Sequence, residues 1–254
     1  MSETCQFEFS VVIPAFNEED RLPQTLEKID RFFLEYEDLG RAEIVVVDDG
    51  STDGTSNVAT TFETSNSAVI TLFRHPHNLG KGAAIRTGFG GSRGQWVLLS
   101  DADLAAPIEG IRRLIPASGH SSVVIGSRAL DRSLVFDSQP RYRDLMGRTF
   151  NLIVRALLLP GIYDTQCGFK LFPGPTARAL AEAQKIEGFA YDVELLAISR
   201  SWGLKIVEVA VPWGHVEASR VLAFRHSAQM FRDLLRITLR RWAHGFPQSP
   251  RGGN

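Results

Sequence analysis

The sequence predicts an α/β fold in which a mainly parallel central sheet is flanked by helices. Short apolar runs without polar alternation recur along the chain, as in strands that are buried on both faces. Amphipathic segments separate these runs, which is the order expected of β-α-β units. The chain has 254 residues, of which 44% are hydrophobic, and this is enough for one large core.

The strands are predicted where Val, Ile, Leu and aromatic residues cluster and then stop at acids, Pro or Gly. Strands are expected at 9–15, 44–47, 69–73, 96–100, 123–126 and 205–211, and segment 164–172 is expected to be a loop into a short strand. The periodicity predicts helices at 22–36, after residue 55, at 81–90, at 141–159, from residue 190 and at 226–242. Asp53 is interpreted as a capping residue for the second of these helices.

The last predicted helix carries two stripes. One stripe is basic, with an arginine every four residues on one side of the helix: Arg232, Arg236 and Arg240. The other stripe is mainly apolar and consists of Phe231, Leu235, Thr238 and Trp242. The resulting division is a main domain at 1–220, a basic amphipathic helix at 221–245 and a disordered tail at 246–254.

Composition restricts the partners and the compartment. Lys and Arg total 28 against 29 Asp and Glu, so no overall charge attracts nucleic acid. The two cysteines, Cys5 and Cys167, suggest no disulfide framework and suit a reducing cytoplasm. The chain has no predicted signal peptide and no apolar run of the roughly 20 residues that span a bilayer. Any membrane contact is therefore expected from the surface.

The predicted strand 96–100 leads into two carboxylates one residue apart, Asp101 and Asp103. Two carboxylates at the end of a buried strand cost free energy unless a positive charge compensates them. A Mg²⁺ or Mn²⁺ ion that carries a diphosphate would supply that charge. The alternative is a strand end with solvated acids. Ligands of parallel sheets bind beyond the carboxyl ends of the strands, where Pro14 to Glu18 and Asp48 to Ser51 also fall. The glycine-rich fingerprints of dinucleotide oxidoreductases and P-loop proteins are absent from the sequence.

Four motifs lie in order along the first half of the chain: Val12-Ile-Pro-Ala-Phe-Asn-Glu18, Val46-Val-Asp-Asp-Gly-Ser-Thr-Asp53, Asn78-Leu-Gly-Lys-Gly-Ala-Ala84 and Ser100-Asp-Ala-Asp103. In this order and at these spacings they resemble the motifs of family-two glycosyltransferases of the GT-A fold. Three more are similar to dolichyl-phosphate glucosyltransferases, with polyprenyl-phosphate mannose synthases as the nearest relatives: Gly126-Ser-Arg128, Asp164-Thr-Gln-Cys-Gly-Phe-Lys-Leu-Phe172 and Phe189-Ala-Tyr-Asp-Val-Glu-Leu-Leu196. The similarity extends from about residue 9 to residue 220.

The resemblance implies a donor site and a metal site. The residues expected to bind the nucleotide sugar are Pro14, Ala15, Glu18, Asp49, Lys81, Asp101 and Arg220. Asp103 is expected to ligate the metal directly, and Asp101 to hold the ribose or a water-bridged metal. Mannose synthases often have Gln where this chain has Ala105, which leaves a third ligand unidentified. Lys81 begins a helix, where unbonded N–H groups and its ammonium would both favour an anion.

The acceptor side needs positive charge, because a phosphate must approach a bound diphosphate. Arg128, Arg143 and Arg148 are the candidates, since guanidinium binds phosphate with two parallel hydrogen bonds. Asp192 and Glu194 are expected to orient the sugar hydroxyls or the acceptor, the alternative being acids in the first turn of a helix. The predicted catalytic set is therefore Asp101, Asp103, Lys81 and Asp192.

The implied function is inverting transfer of a hexose, with glucose favoured, from a nucleotide sugar to a polyprenyl or dolichyl phosphate. UDP-glucose is the favoured donor and GDP-mannose the alternative. Helices 141–159 and 226–242 suit contact with anionic headgroups at the cytoplasmic face of a membrane, or else packing on their own domain. The rivals are transfer to a soluble sugar or a polysaccharide, a nucleotidyltransferase and a non-catalytic nucleotide-sugar binding module.

Overall fold

A mixed sheet forms the centre of the molecule. The computed structural model describes residues 7–65, 68–137, 141–214, 223–243 and 245–249. Its strands are β1 (Phe7–Ala15), β2 (Ala42–Asp48), β3 (Ala68–Arg74), β4 (Gly94–Leu99), β5 (Ser122–Ser127), β6 (Val135–Asp137), β7 (Lys170–Pro173), β8 (Lys205–Ala210) and β9 (Trp213–Gly214). Within these residues, seven strands form the main sheet in the order β3-β2-β1-β4-β7-β5-β8, and β6 pairs with β9.

Strand β7 runs against its neighbours. The pairs β1-β2, β1-β4, β2-β3 and β5-β8 are parallel, whereas β7 is antiparallel to both β4 and β5. The predicted mainly parallel sheet is therefore confirmed. Because β7 is reversed, its first residue, Lys170, pairs with Leu99 and Ile125 near the carboxyl ends of β4 and β5. Residues just before β7 consequently lie at the same edge as residues just after the parallel strands.

Helices cover both faces of the sheet. They are α1 (Leu22–Glu35), α2 (Thr55–Thr61), α3 (Lys81–Gly91), α4 (Ile111–Leu114), α5 (Arg141–Leu157), α6 (Gly174–Ala183), α7 (Tyr191–Ser201) and α8 (Ala223–Ala243). Successive strand residues enter different cores: Val12 packs with residues of α3 and α6, whereas Val11 and Ile13 pack with residues of α1. Both faces are buried, which explains why the strands lack polar alternation.

Helix α6 and the short strands β6 and β9 were not predicted from the sequence. Helix α6 begins at Gly174 and Pro175, residues that usually mark a turn. Proline is nevertheless compatible with the first turn of a helix, because the N–H that it lacks would have no intrahelical partner there. The apolar residues Ala177 and Leu180 then bury one face of the helix.

Helix α8 is amphipathic in a different way from the prediction. Leu234 and Ile237 are buried against the domain, together with Thr238. Phe231, Leu235, Leu239 and Trp242 form the exposed apolar stripe. The predicted stripe was therefore wrong at Thr238, which lies on the buried side. None of the helices in the described residues is both long and apolar enough to span a bilayer.

An ion pair anchors α8. Arg240 Nη1 donates to Glu194 Oε1 at 2.6 Å, and the backbone N–H groups of Lys185 and Ile186 donate to Glu194 Oε2. Burial raises the pKa of Glu194, although Arg240 opposes this change. These contacts within the fold occupy the Glu194 carboxylate, and its predicted role in orienting substrate stays a prediction.

Candidate active site

The ends of β1, β2 and β4 meet at one edge of the sheet, as the sequence predicts. Ala15 pairs with Asp48, and Val12 pairs with Leu99. Two backbone hydrogen bonds continue this alignment past the strand ends: Asp49 N–H donates to the Ala15 carbonyl at 2.8 Å, and Ser100 N–H to the Val12 carbonyl at 3.0 Å. The polar residues that follow each strand therefore share one surface.

Lys81 and Asp101 form an ion pair at this edge. Lys81 Nζ donates to Asp101 Oδ1 at 2.6 Å, and the two side chains are 27% and 28% exposed. Burial alone would lower the pKa of Lys81, but the carboxylates of Asp101, Asp192 and Asp103 outweigh it and raise that pKa. Lys81 is thus a firmly charged cation that solvent, and hence a ligand, can reach.

The start of α3 differs from the prediction. The N–H groups of Gly82 and Ala83 donate to the Glu187 carbonyl at 2.7 and 3.3 Å, and Gly80 N–H donates to Asp49 Oδ2 at 2.8 Å. A Cβ on Gly82 would lie 2.4 Å from the Ile186 carbonyl oxygen, so the glycine permits this close approach. The expectation of unbonded N–H groups at this helix start was therefore wrong for Gly82 and Ala83. Anion attraction there falls to the Lys81 ammonium.

Asp103 lies beside Asp101 on a tight turn. Asp103 Oδ1 accepts from Ala105 N–H at 3.0 Å, and Leu104 between them has a left-handed φ of 45°. Burial raises the pKa of the Asp103 carboxyl, and the negative charge of Asp101 raises it further. Backbone strain and crowded negative charge of this kind are typical of functional sites.

The two carboxylates fit a divalent cation. They are hard oxygen donors with a surplus of negative charge, and Asp101 is partly open to solvent. The described residues contain no group of three or more His, Cys, Asp or Glu side chains that could hold a metal ion. A cation bound by Asp101 and Asp103 would therefore complete its ligand set with phosphate oxygens and water, as Mg²⁺ commonly does.

Gly168 packs directly against Asp101. A Cβ at Gly168 would lie 2.1 Å from Asp101 Oδ2. We expect Gly168→Ala to displace the Asp101 carboxylate and to lower turnover about a hundredfold, a loss typical of roughly 1 Å misplacement. Steady-state kinetics would check this, with Gly90→Ala as the matched control because its added Cβ meets only the Ala181 Cβ at 3.9 Å. Equal activity of the two variants would contradict the assignment.

The predicted base and ribose residues lie at the ends of β1 and β2. Pro14 and Ala15 end β1, and the Asp49 carboxylate accepts from Leu79 N–H and Gly80 N–H. His75 Nδ1 also lies 2.7 Å from Asp49 Oδ1. Asp49 thus fixes the loop that leads to Lys81. Its contact with a base stays a prediction, as do the donor roles of Pro14 and Ala15.

Arg21 is a site residue that the sequence analysis missed. Its Nε and Nη2 donate to both carboxylate oxygens of Glu18 at 2.7 Å. Its Nη1 is buried without a hydrogen-bond partner within the described residues, and its charge lowers the pKa of Asp103. Arg21 therefore fixes the orientation of Glu18 and adds positive charge beside the acids. The donor role of Glu18 stays a prediction.

Arg128 lies at the end of β5 and is held by a buried acid. Its Nε and Nη2 donate to the two oxygens of Asp164 at 2.7 and 2.8 Å, and its guanidinium stacks 5.3 Å from the Trp213 ring centre. Burial would raise the pKa of Asp164, but Arg128 outweighs it and the pKa is lowered. Burial likewise opposes the charge of Arg128, yet Asp164 raises its pKa. This guanidinium is rigidly oriented and remains one-quarter exposed.

Asp192 pairs with Lys170, another residue that the sequence analysis missed. Lys170 Nζ donates to Asp192 Oδ1 at 2.5 Å, and both side chains are buried. A lysine within the apolar run Gly-Phe-Lys-Leu-Phe was a usable signal, because a buried lysine requires a paired carboxylate. Cys167 beside them is buried, and burial raises the pKa of its thiol to about 12, so it is no nucleophile.

The structure describes two of the three remaining predicted arginines. Arg143 and Arg148 lie in α5, and Arg148 is exposed. Arg220 lies outside the described residues. The acceptor roles of Arg143 and Arg148 stay predictions, and Arg128 is the arginine whose geometry supports such a role.

Comparison with known proteins identifies the family to which this chain belongs. The family model described as "Glycosyl transferase family 2" matches residues 10–173, which include Asp101, Asp103, Lys81, Arg128 and Asp164. The chain belongs to glycosyltransferase family 2. This glycosyltransferase is 37% identical over 242 residues to the dolichyl-phosphate beta-glucosyltransferase of Dictyostelium discoideum, with 91% of this chain and 74% of that protein covered. The human protein of that name is also 37% identical, over 247 residues, with 92% and 75% covered.

Solved structures support the fold. Glucosyl-3-phosphoglycerate synthase from Mycobacterium tuberculosis, in complex with UDP, superposes on this glycosyltransferase with a TM-score of 0.64 at 20% identity, covering 92% of this chain and 80% of that one. The same enzyme in complex with Mn²⁺, UDP-glucose and glycerol 3-phosphate gives 0.63 at 19% identity, with the same coverage. The predicted GT-A fold is confirmed.

Proposed function

We propose that this glycosyltransferase transfers glucose from UDP-glucose to a polyprenyl phosphate such as dolichyl phosphate. The observation that carries the proposal is its 31 to 37% identity, over about nine-tenths of the chain, to relatives named dolichyl-phosphate beta-glucosyltransferase. The site geometry supports it independently. Asp101, Asp103 and Lys81 form the donor half-site, which suits a cation-bound diphosphate. Arg128 forms the acceptor half-site, where its fixed guanidinium can bind a second phosphate.

The reaction is a single displacement with inversion. An oxygen of the acceptor phosphate attacks the anomeric carbon from the face opposite the nucleotide, and the carbon–oxygen bond to the diphosphate breaks. Arg128 holds the attacking phosphate, and Lys81 stabilises the charge that appears on the leaving diphosphate. A phosphate monoester is largely ionised at neutral pH, so it needs no general base. Asp192, paired with Lys170, therefore orients groups and does not remove a proton.

A divalent cation completes the donor side. Asp103 would bind it directly and Asp101 directly or through water. When bound, Mg²⁺ or Mn²⁺ supplies a Lewis acid that neutralises diphosphate charge. The structurally similar synthase is in complex with Mn²⁺ and UDP-glucose, which supports a divalent ion beside the sugar nucleotide, and the two carboxylates accept either metal.

A donor panel tests the function. Purified protein is incubated with Mg²⁺ or Mn²⁺, with dolichyl or undecaprenyl phosphate, and with UDP-glucose or GDP-mannose, and the lipid-linked sugar is measured. We expect lipid-linked glucose from UDP-glucose and none without the lipid phosphate. Lipid-linked mannose from GDP-mannose would instead support the mannose synthase alternative. Transfer only to a soluble sugar would refute the lipid acceptor.

The acceptor lipid requires contact with a membrane, and α8 supplies a surface for it. Leu235 and Trp242 are 57% and 71% exposed on the apolar stripe. Arg232 and Arg236 are exposed on the same helix. Apolar side chains beside arginines suit a helix that lies in the headgroup region of an anionic bilayer. The cytoplasmic face is the proposed location, because the sugar nucleotide and the anionic lipids are both available there.

We expect the variant Leu235→Gln with Trp242→Gln to bind anionic vesicles at least about tenfold more weakly, because each side chain gives up roughly 1.5 to 3 kcal/mol of burial. Its thermal unfolding should match wild type, since both side chains are exposed. Vesicle sedimentation would measure the binding. Leu34→Gln on α1 is the matched control, as Leu34 is also exposed but outside α8. Equal binding by all three proteins would rule out α8 as the membrane surface.

A further inference from the structure

Lys170 is a wholly buried lysine that the proposed reaction does not use. It lies at the start of the reversed strand β7, between β4 and β5. Its ammonium donates to Asp192 Oδ1 at 2.5 Å and to the Cys167 carbonyl. A buried charge is costly unless it is paired, so these partners must hold it firmly. Because its side chain is fully buried, the ammonium cannot touch substrate.

Lys170 acts on two carboxylates, and each of them attracts a second cation. Its positive charge stabilises the ionised forms of Asp192 and Asp164, although burial opposes this at both residues. Asp164 in turn holds Arg128 with both oxygens, and the negative charge of Asp192 attracts the Lys81 ammonium. The six charges alternate in sign: Arg128, Asp164, Lys170, Asp192, Lys81 and Asp101.

The backbone also connects Lys170 to Asp164. Asp164 and Lys170 end the same short segment, and the bond from Lys170 Nζ to the Cys167 carbonyl closes that segment on itself. Gly126 on β5, two residues before Arg128, donates to the Phe169 carbonyl at 2.8 Å. Glu208 on β8 fixes the other end of the segment, accepting from Asp164 N–H at 2.9 Å. A shift of Lys170 would therefore reach Asp164 through the chain as well as through charge.

We propose that Lys170 is a positioning residue shared by the two half-sites, holding the Asp192 carboxylate in place on the donor side and Asp164 against Arg128 on the acceptor side. The proposal rests on the proposed function for the identity of those sides. It predicts that one residue touching neither substrate controls the affinity for both. A residue that merely fills the core would lower the fraction of folded enzyme, and hence kcat, without raising either KM.

The test compares wild type with Asp192→Asn combined with Lys170→Met. The double variant replaces both members of the buried pair by neutral side chains, so neither charge is left buried without its partner. We expect KM for the polyprenyl phosphate to rise at least about fivefold from wild type to the double variant, a typical coupling between sites. KM for UDP-glucose should rise as well, because the double variant also removes the Asp192 carboxylate. Equal acceptor KM values would overturn the acceptor side of the proposal.

A second measurement separates this proposal from the function. Calorimetry of UDP binding, without acceptor, should show at least about fivefold weaker binding for Lys170→Met and unchanged binding for Asp164→Asn. Unchanged binding by Lys170→Met, with the fold intact by circular dichroism, would overturn the donor side. Wild type that binds UDP but makes no lipid-linked glucose would refute the proposed function alone, since the calorimetric result for Lys170 would still stand.

Discussion

Asp103→Asn is expected to abolish turnover, with kcat lowered about a thousandfold or more. The carboxylate is the proposed direct ligand of the cation, and its charge balances that cation against the leaving diphosphate. Asn keeps the shape and the acceptor for the Ala105 N–H but removes the charge. Steady-state turnover with UDP-glucose, polyprenyl phosphate and Mn²⁺ would measure the loss. Because burial and Asp101 raise the pKa of Asp103, removing this charge should not destabilise the unliganded protein.

The matched control for that experiment is Glu109→Gln. Glu109 is an exposed acid on the same segment, outside the cluster of Asp101, Asp103 and Lys81. Its removal should leave turnover within a factor of about two, as surface substitutions usually do. A normal rate for Asp103→Asn at saturating Mn²⁺ would dispose of the metal assignment, and an equal loss in both variants would point to a general charge effect.

Arg128→Ala is expected to raise KM for the lipid phosphate about a hundredfold, because a fixed charge-assisted contact to phosphate disappears. It should also destabilise the fold by about 3 to 5 kcal/mol, since Asp164 would remain buried without the guanidinium that pairs with it. Kinetics against the acceptor and denaturant unfolding would measure the two effects. KM for UDP-glucose should change little.

The stability effect has a defined pH dependence. Arg128 lowers the pKa of Asp164 in the folded state, so the pair contributes stability above the unfolded pKa of about 3.9, and this stability is lost as pH falls through the folded value. The difference between wild type and Arg128→Ala should therefore be largest near pH 7 and shrink in acid. Arg112→Ala is the matched control, because Arg112 also stacks on an aromatic ring, that of Tyr36 at 4.3 Å. An unchanged acceptor KM in Arg128→Ala would refute its role.

The strand ends were predictable because local pattern determines them. The strands end at Ala15, Asp48 and Leu99, where the continuous apolar runs give way to polar residues. Such runs are the sequence signal of strands that are buried on both faces. The shared edge then followed from a general property of parallel sheets. Lys81, Asp101 and Asp103 are brought together as that reasoning required.

The start of α3 was not predictable in the same way. Glycines before and after Lys81 are compatible with an open anion site and equally with a close backbone contact. The structure contains the contact, because the Glu187 carbonyl occupies the N–H groups of Gly82 and Ala83. Only the packing of a distant segment decides between the two cases.

The sequence by itself determined the α/β class, the family motifs and the acids at the strand ends, since each depends on residues that are close together in the chain. The tertiary structure alone decided that β7 is reversed, so that Lys170 and Asp164 join the site. It also decided which face of α8 is buried. The physical reason is that strand direction and helix orientation are fixed by contacts between segments far apart in sequence, where no local pattern records the partner.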